Sequence, residues 1–172
     1  MGRKTQIRCH GDASRFDEVA DFIYERFGNS IKYIADVAGG QGLLTKILNK
    51  KYNYECEVID PRGWTLVGVP SIQKEFTSEM ADFYDLIIGL HPDEATLEVA
   101  KSAFKKQVLL VPCCNFWTRE KKLGSKALIE EICNYFRENE IEFSIFKFSF
   151  AGPKNVGIIT SGLIKKQGMA TV

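Results

Sequence analysis

The order of β-rich and helix-like segments constrains the fold of this chain more than any other feature. Strand-like apolar runs lie at 33–37, 56–60, 71–76, 85–90 and 107–112, and apolar residues at helical spacing lie between most of them. Strands that are joined by helical crossovers run parallel in one sheet. Two further β-rich runs, 141–150 and 156–164, are separated only by turn residues, which predicts an antiparallel hairpin.

We therefore expect an α/β fold with a doubly wound, mostly parallel seven-stranded sheet, an antiparallel C-terminal hairpin strand and three α/β/α layers. The 172 residues fit a single domain, 1–172. In such a sheet, ligands bind at the carboxyl ends of the strands, so residues at those positions are the first candidates for a functional site.

Charge and cysteine content exclude several kinds of site. A formal net charge of +1 produces no global field that would attract nucleic acid or a membrane. The five cysteines have no C-x-x-C spacing and there are only two histidines, which argues against a zinc site or a disulfide framework. The sequence has no recognisable signal peptide and no apolar run of about 20 residues, so we expect a cytoplasmic protein without a membrane span.

The segment DVAGGQG, residues 36–42, lies between a predicted strand and a predicted helix. Glycines there let the backbone approach a ligand closely, although a tight turn without a ligand is the alternative. Asp60 ends the next strand, where a carboxylate can accept both hydroxyl protons of a ribose. A dinucleotide-binding fingerprint starting at Gly40 needs glycine or alanine where this chain has Thr45. The acidic Asp36 instead favours a ligand that carries an ammonium group.

This loop resembles the first motif of the class I S-adenosylmethionine-dependent methyltransferases, acidic-x-Gly-x-Gly-x-Gly. Asp36, Gly40 and Gly42 match the motif, and Ala38 replaces its first glycine. The resemblance covers nearly the whole chain, since crossovers followed by a hairpin are that family's topology. It implies S-adenosyl-L-methionine as the cofactor, with its ribose at Asp60, and no metal. The cofactor-binding residues that it implies are Asp36, Ala38, Gly39, Gly40, Gln41, Gly42, Asp60, Pro61, Arg62, Leu90 and His91.

The resemblance also implies where the adenine and the methyl group lie. Adenine would lie beside Pro61 and Arg62, in contact with Glu75 or Thr77 after the third strand. Residues 90–93, Leu-His-Pro-Asp after the fourth strand, would line the methyl group. They lack the Asn/Asp-Pro-Pro-aromatic signature of amino-group methylases, which argues against chemistry at the N6 atom of adenine.

Four residues are candidates for catalysis: His91, Asp93, Cys114 and Asn115. His91 could be a general base for a hydroxyl or nitrogen acceptor, or a hydrogen-bonded histidine at a strand end. Asp93 has the alternative of a helix N-cap. Cys114 and Asn115 belong to a cluster after the fifth strand. A Cys114 thiolate could attack C6 of a pyrimidine, as in RNA 5-methylcytosine enzymes; a small apolar residue in the pocket wall is the alternative.

Aromatic and basic residues that could hold RNA follow the same strand: Phe116, Trp117, Arg119, Lys121 and Lys122. Such residues stack bases and bind phosphates, so RNA is slightly favoured as acceptor over a small molecule or a protein. Aromatics packed on the sheet edge beside a solvated loop are the alternative. Two other hypotheses stay open: a non-catalytic S-adenosylmethionine-binding module that acts through a partner, and an unrelated Rossmann-like nucleotide enzyme. A partner protein or a homo-oligomer is possible for any of these functions.

Overall fold

The structure is a computed structural model that describes residues 6–9, 11–113, 115–152 and 154–162. The strands are β1 (Tyr33–Val37), β2 (Glu55–Ile59), β3 (Ser71–Ile72), β4 (Leu86–Leu90), β5 (Gln107–Val111), β6 (Phe143–Lys147) and β7 (Val156–Thr160). The α-helices are α1 (Ser14–Phe27), α2 (Leu43–Tyr52), α3 (Thr96–Lys101) and α4 (Ser125–Glu138). Short 3-10 helices lie at Gly28–Ser30, Ser78–Phe83, Asp93–Ala95 and Ser102–Phe104.

All seven strands belong to one sheet, in the order β3-β2-β1-β4-β5-β7-β6. The strands from β1 to β5 pair in parallel, and β7 is antiparallel to both β5 and β6. This confirms the predicted mostly parallel sheet with a reversed hairpin strand. The chain moves outward from β1 to β3 and then returns to β4, so the direction of winding switches between β1 and β4. The crevice at the carboxyl ends of these two strands is the expected ligand site.

The two faces of the sheet carry separate apolar cores because strand side chains alternate between them. On one face α1 and α2 pack on the sheet, with Ile23 beside strand residues such as Ile88. On the other face α3 and α4 pack, with Phe136 beside residues such as Ile87. All four side chains are fully buried, and each burial contributes about 1.5–3 kcal/mol. The three-layer arrangement is therefore confirmed.

Helix α1 is fixed at both ends by local hydrogen bonds. The carboxylate of Asp12 accepts hydrogen bonds from the backbone N and the Oγ of Ser14, at 2.9 and 2.7 Å. At the other end Gly28 adopts φ 49°, a left-handed value that glycine tolerates, and its N–H donates to the carbonyl of Tyr24. These bonds set the orientation of the first turn of α1, which borders the candidate site described below.

The crossovers on either side of β3 differ from the expected helices. Residues 60–70, between β2 and β3, form turns and loop, and β3 has two residues although the β-rich pattern continues to residue 76. The crossover from β3 to β4 contains the 3-10 helix Ser78–Phe83 instead of an α-helix. Helix-breaking residues explain the first of these differences: the segment contains Pro61, Gly63, Gly68 and Pro70.

The crossover from β4 to β5 is also less regular than its apolar spacing predicts. Its α-helical part is only Thr96–Lys101, between two 3-10 helices. Phe104, which the spacing assigns to the apolar face, is 47% exposed and contacts the ring edge of Tyr135. Within the described ranges, no helix combines the length and the apolar character that crossing a bilayer requires.

Candidate functional site

Two adjoining cavities open at the carboxyl ends of β1, β2 and β4. The first, of about 360 Å³, lies on the β2 side, and its walls include Asp60, Pro61, Glu75 and Phe76. The second, of about 340 Å³, lies over the loop after β1, and its walls include Gly40, Trp64, Leu90 and His91. Three residues, Ala38, Arg62 and Asp93, line both cavities. An elongated ligand can therefore occupy both.

The glycine loop between β1 and α2 forms the boundary of the two cavities. Gly40 has φ 58°, and a Cβ atom built on it would meet no heavy atom within 4 Å, so its backbone faces open space. Ala38, at the position of the motif's first glycine, also has a positive φ of 55°. Gly42 faces the protein instead, because its Cβ would lie 2.7 Å from Val69 and 2.9 Å from Val58. The loop thus presents bare backbone to the cavity at Gly40 and packs against β2 at Gly42.

The carboxylate of Asp36 lies directly beneath this loop. It is buried, and Oδ2 accepts a hydrogen bond of 2.8 Å from the hydroxyl of Thr45. A Cβ atom on Gly39 would lie 2.5 Å from the same carboxylate oxygen, so only glycine fits there. Burial raises the pKa of Asp36 to about 7, although the hydrogen bond from Thr45 opposes the rise. Asp36 also lines the second cavity, where an ammonium group would stabilise its ionised form.

The raised pKa of Asp36 predicts a specific pH dependence of stability. Between about pH 4 and pH 7 the folded protein keeps a proton that the unfolded chain has lost, so the free energy of unfolding should fall as pH rises. The expected slope from this group is on the order of 1 kcal/mol per pH unit. Urea unfolding at pH 5, 6 and 7 should show a smaller decline for Asp36→Asn than for the unaltered protein. Equal declines would contradict the assignment.

Both carboxylate oxygens of Asp60 accept hydrogen bonds from the protein itself. The Asp60 side chain is 0% exposed, and its Oδ2 accepts a hydrogen bond of 3.0 Å from the backbone N of Gly40. The guanidinium of Arg62 binds both carboxylate oxygens, Nε at 2.9 Å from Oδ1 and Nη2 at 2.6 Å from Oδ2. Burial alone would raise the pKa of Asp60, but the Arg62 charge and these hydrogen bonds hold it below its usual value. Asp60 is therefore an ionised acceptor at the junction of the two cavities.

Arg62 covers this junction. Besides its bonds to Asp60, its Nη2 donates to the carbonyl of Ala38 at 3.3 Å, and its guanidinium lies 4.6 Å from the ring centre of Trp64. The Trp64 side chain is 50% exposed. The family resemblance places Arg62 beside the adenine, but the sequence does not indicate that Arg62 binds the carboxylate of Asp60.

The loop after β4 brings His91 and Asp93 to the second cavity in strained conformations. Both residues have positive φ values, 59° and 55°, which cost on the order of 1–3 kcal/mol each and concentrate at functional sites. The N-caps of the following helices are Pro92 and Ala95, so the N-cap alternative for Asp93 is wrong. Its side chain lines both cavities instead.

His91 is neutral and hydrogen-bonded. Its Nε2 lies 3.2 Å from the carbonyl oxygen of Lys154, which only accepts, so Nε2 carries the proton and Nδ1 is the basic nitrogen. Burial lowers the pKa of His91, the bond to Lys154 opposes this, and the charges of Arg15 and Lys154 lower it further. A neutral imidazole at the cavity wall is in the form that a general base requires. The hydrogen bond to Lys154 is therefore compatible with a role of His91 as general base.

The candidate residues that follow β5 differ from His91 and Asp93 in their relation to the two cavities. Cys114 lies outside the described residues. Asn115 is exposed, its carbonyl accepts a hydrogen bond from the backbone of Leu123, and it lines neither of the two cavities. Trp117 is 6% exposed and packs in the core against Tyr135, so its assignment as a base-stacking residue is wrong. It can reach a base only by leaving the core.

The basic residues of this segment are bound to acidic neighbours or to an aromatic ring. Arg119 donates to Glu94 at 2.7 Å and to Glu75 at 3.2 Å, and it lines the first cavity. Lys121 pairs with Glu131, and the Lys122 ammonium lies 4.7 Å from the ring centre of Phe116. Glu75 lines the first cavity as well, whereas Thr77 does not. This segment therefore forms part of the wall of the first cavity and offers a largely neutralised surface.

Several wall residues were not assigned to a ligand site by the sequence, among them Arg15, Phe16, Trp64 and Phe76. Arg15 and Phe16 sit in the first turn of α1, where their spacing indicates only a helix start. Arg8 also lines the second cavity, because the side chain of Gln41 binds the backbone of Arg8 and of Gln6 at 2.7 and 2.8 Å. The N-terminal segment thus closes over the glycine loop.

Comparison with known proteins identifies the architecture. No family model matches the sequence, and no curated protein matches it significantly. Solved structures do match. The plantazolicin methyltransferase BpumL, solved in complex with SAH, has a TM-score of 0.59 and 12% identity over 88% of this chain and 86% of its own. The sugar N-methyltransferase KedS8 from Streptoalloteichus has a TM-score of 0.57 and 12% identity over 91% and 97%.

A third match is the ribosomal protein L11 methylase from Lactobacillus delbrueckii subsp. bulgaricus, with a TM-score of 0.56 and 19% identity over 86% of this chain and 78% of that one. The three proteins act on different acceptors by their names, and at these identities they share an architecture with this chain and no more. The chain has the class I S-adenosylmethionine-dependent methyltransferase fold.

Proposed function

We propose that the protein is an S-adenosylmethionine-dependent methyltransferase, with adenosine in the first cavity and the methionine portion in the second. The observation that carries the proposal is the pair of cavities that meet at Ala38, Arg62 and Asp93, beside the bare backbone of Gly40. The acidic groups fit both ends of such a cofactor. Ionised Asp60 suits ribose hydroxyls, and Asp36 suits the methionine ammonium.

The sulfonium supplies an activated methyl group, so the protein contributes mainly orientation and removal of a proton from the acceptor. Gly39 and Gly40 bring backbone against the cofactor, and Asp36 and Asp60 fix its two polar ends. The Nδ1 atom of His91 takes the acceptor proton when the acceptor is a hydroxyl or an amine. When the acceptor is an amine, Asp93, at the boundary of both cavities, stabilises the positive charge that the nitrogen gains as the S–C bond breaks and the N–C bond forms.

Isothermal calorimetry with S-adenosylmethionine, S-adenosylhomocysteine (SAH) and NAD tests the cofactor assignment. We expect micromolar binding of the first two ligands and no binding of NAD, because the second cavity matches an amino-acid tail. Absence of binding by both adenosyl ligands would overturn the proposal. Binding of NAD instead would favour an unrelated Rossmann-like enzyme.

The closed Asp60–Arg62 pair is the observation that favours a second candidate function, a non-catalytic S-adenosylmethionine-binding module. A carboxylate held at both oxygens by its own chain can bind ribose only after the guanidinium moves away. If that movement does not occur, the site stays shut. A methyltransferase requires Arg62 to exchange its partner, and its side chain, 37% exposed, has solvent to move into.

Substitution of Arg62 tests this exchange. Arg62→Met should lower the Kd for SAH by about tenfold, equal to about 1.4 kcal/mol, because the ribose no longer displaces a buried ion pair. Arg137→Met is the matched control, since Arg137 also lies over an aromatic ring, Phe143, and lines neither cavity. Calorimetry that shows weaker binding for Arg62→Met would mean that the guanidinium contacts the cofactor and does not block it.

For the acceptor, the described contacts support a small molecule over RNA. Arg119 and Lys121, expected to hold RNA, are paired with acidic side chains, and Trp117 is buried in the core. The ammonium of Lys122 lies over the ring of Phe116. The second cavity, in contrast, is lined by His91 together with Arg8 of the N-terminal segment and Arg15 and Phe16 of α1. A cavity of this size suits a small acceptor.

A further inference from the structure

We propose that the acceptor is a small organic anion whose negative group is bound by Arg15 beside His91. The inference rests on the proposed function and adds the chemical class of the substrate. It starts from the second cavity, whose size and charge exceed what the methionine portion of the cofactor requires. The two cavities are nearly equal, at about 360 and 340 Å³, whereas adenosine is much larger than a methionine tail. Space remains in the second cavity for another ligand.

Three arginines line this cavity. Arg62 is bound to Asp60, and the other two, Arg8 and Arg15, stand at different places in it. Arg8 is tied to the glycine loop, because its backbone N donates to Oε1 of Gln41 at 2.7 Å. This position suits the carboxylate of the methionine portion, which lies along the same loop. Arg15 belongs to α1, and its Nη1 donates to the carbonyl of Asp12 at 2.9 Å while its guanidinium lies 4.4 Å from the ring centre of Phe16. Arg15 is therefore anchored at the first turn of α1.

Arg15 and His91 line the same cavity. The two charged groups that perturb the imidazole are both cations, Arg15 and Lys154, and both lower the pKa of His91. A cationic surface beside a neutral base attracts an anionic acceptor and keeps the base unprotonated. The arrangement thus serves binding of the acceptor and removal of its proton together.

Asp36 and Asp93 also line the second cavity, and much of the rest of its wall is apolar. Phe16, Leu44, Trp64 and Leu90 line it, and Trp64 is half exposed at its rim. An acceptor that fills this space combines an apolar, planar body with one anionic group. A guanidinium binds a carboxylate or a phosphate equally well through paired N–H donors, so both chemistries suit Arg15.

Benzoate, phenyl phosphate and the neutral benzamide are suitable probes, each titrated by NMR into the SAH-loaded protein. Binding of SAH is measured first. We expect at least one of the two anions to bind tenfold or more tightly than benzamide, and Arg15→Gln to remove that preference while SAH still binds. Arg26→Gln is the matched control, because Arg26 lies in the last turn of the same helix, over Phe27. It should keep the preference.

The outcomes separate the two proposals. Failure of SAH to bind the unaltered protein would overturn the proposed function and this inference with it. Intact SAH binding with equal affinity for benzamide and both anions would overturn the anionic acceptor alone. Loss of SAH binding in Arg15→Gln would assign Arg15 to the cofactor and also overturn it. A single-stranded oligouridylate that displaces the anions, with equal affinity for Arg15→Gln, would overturn it in favour of RNA.

Discussion

Replacing Asp60 with alanine should weaken the binding of SAH about a hundredfold, roughly 2.7 kcal/mol. The variant removes the acceptor of two ribose hydroxyls in a buried place. It also removes the partner of the Gly40 N–H, so the glycine loop loses one of the bonds that hold it beside the end of β2. Asp60→Asn keeps the shape of the side chain and one acceptor oxygen, and it should show an intermediate loss.

Calorimetry with SAH measures both variants, and Asp82→Ala is the control. Asp82 is also an aspartate paired with a cation, Lys105, but it is exposed and lines neither cavity. Its substitution should leave the Kd unchanged. A Kd for Asp60→Ala within a factor of three of the unaltered protein would mean that the ribose does not lie at Asp60.

Gly39→Ala should destabilise the protein by about 3 kcal/mol and abolish SAH binding. The added Cβ atom would lie 2.5 Å from a carboxylate oxygen of Asp36. That carboxylate cannot retreat easily, because it is buried and bound to Thr45 at 2.8 Å. The loop must therefore move outward, into the volume that the methionine portion of the cofactor would occupy.

Thermal and urea unfolding measure the stability of this variant, and calorimetry measures its affinity for SAH. Gly124→Ala is the control, since Gly124 has an ordinary φ of −65° and a Cβ atom there meets nothing within 4 Å. It precedes α4 as the N-cap, so its substitution should cost less than about 1 kcal/mol. Unaltered stability of Gly39→Ala would show that the loop adapts without displacing Asp36.

Much of the fold could be predicted because the chain's local patterns agree with its tertiary structure. Central strands such as β4 are continuous apolar runs, which only a sheet covered on both faces requires. The predictions are wrong where hydrogen-bonded pairing between strands, and not the secondary-structure propensity of the residues, decides the length of an element. The run 71–76 looks like a full strand, but only Ser71 and Ile72 find partners on β2. Likewise, the spacing of apolar residues does not show that α3 ends at Lys101 and that a 3-10 helix follows it.

The site residues also differ in whether the sequence alone could predict them. The residues of the glycine loop and Asp60 could be placed because their positions follow from strand ends, which sequence patterns locate well. The role of Arg15 could not, because it depends on how α1 docks beside the loop after β4. The same holds for Arg62, whose sequence position beside Asp60 does not reveal that both carboxylate oxygens are already taken. The buried Trp117 shows the converse, since an aromatic residue beside lysines can belong to the core.

The short β3 makes the two walls of the first cavity unequal in their resistance to local unfolding. One wall comes from β1 and β4, each flanked by a strand on both sides, whereas the other comes from β2 and the loop 60–70, closed by a two-residue edge strand. Local opening needs least free energy at such an edge, so the wall proposed to bind ribose should be ordered for only part of the time without ligand. Part of the intrinsic affinity is then used in ordering that wall, and the apparent Kd rises accordingly. The occupied protein should therefore resist proteolysis within 60–70 more strongly than its global stability alone would give.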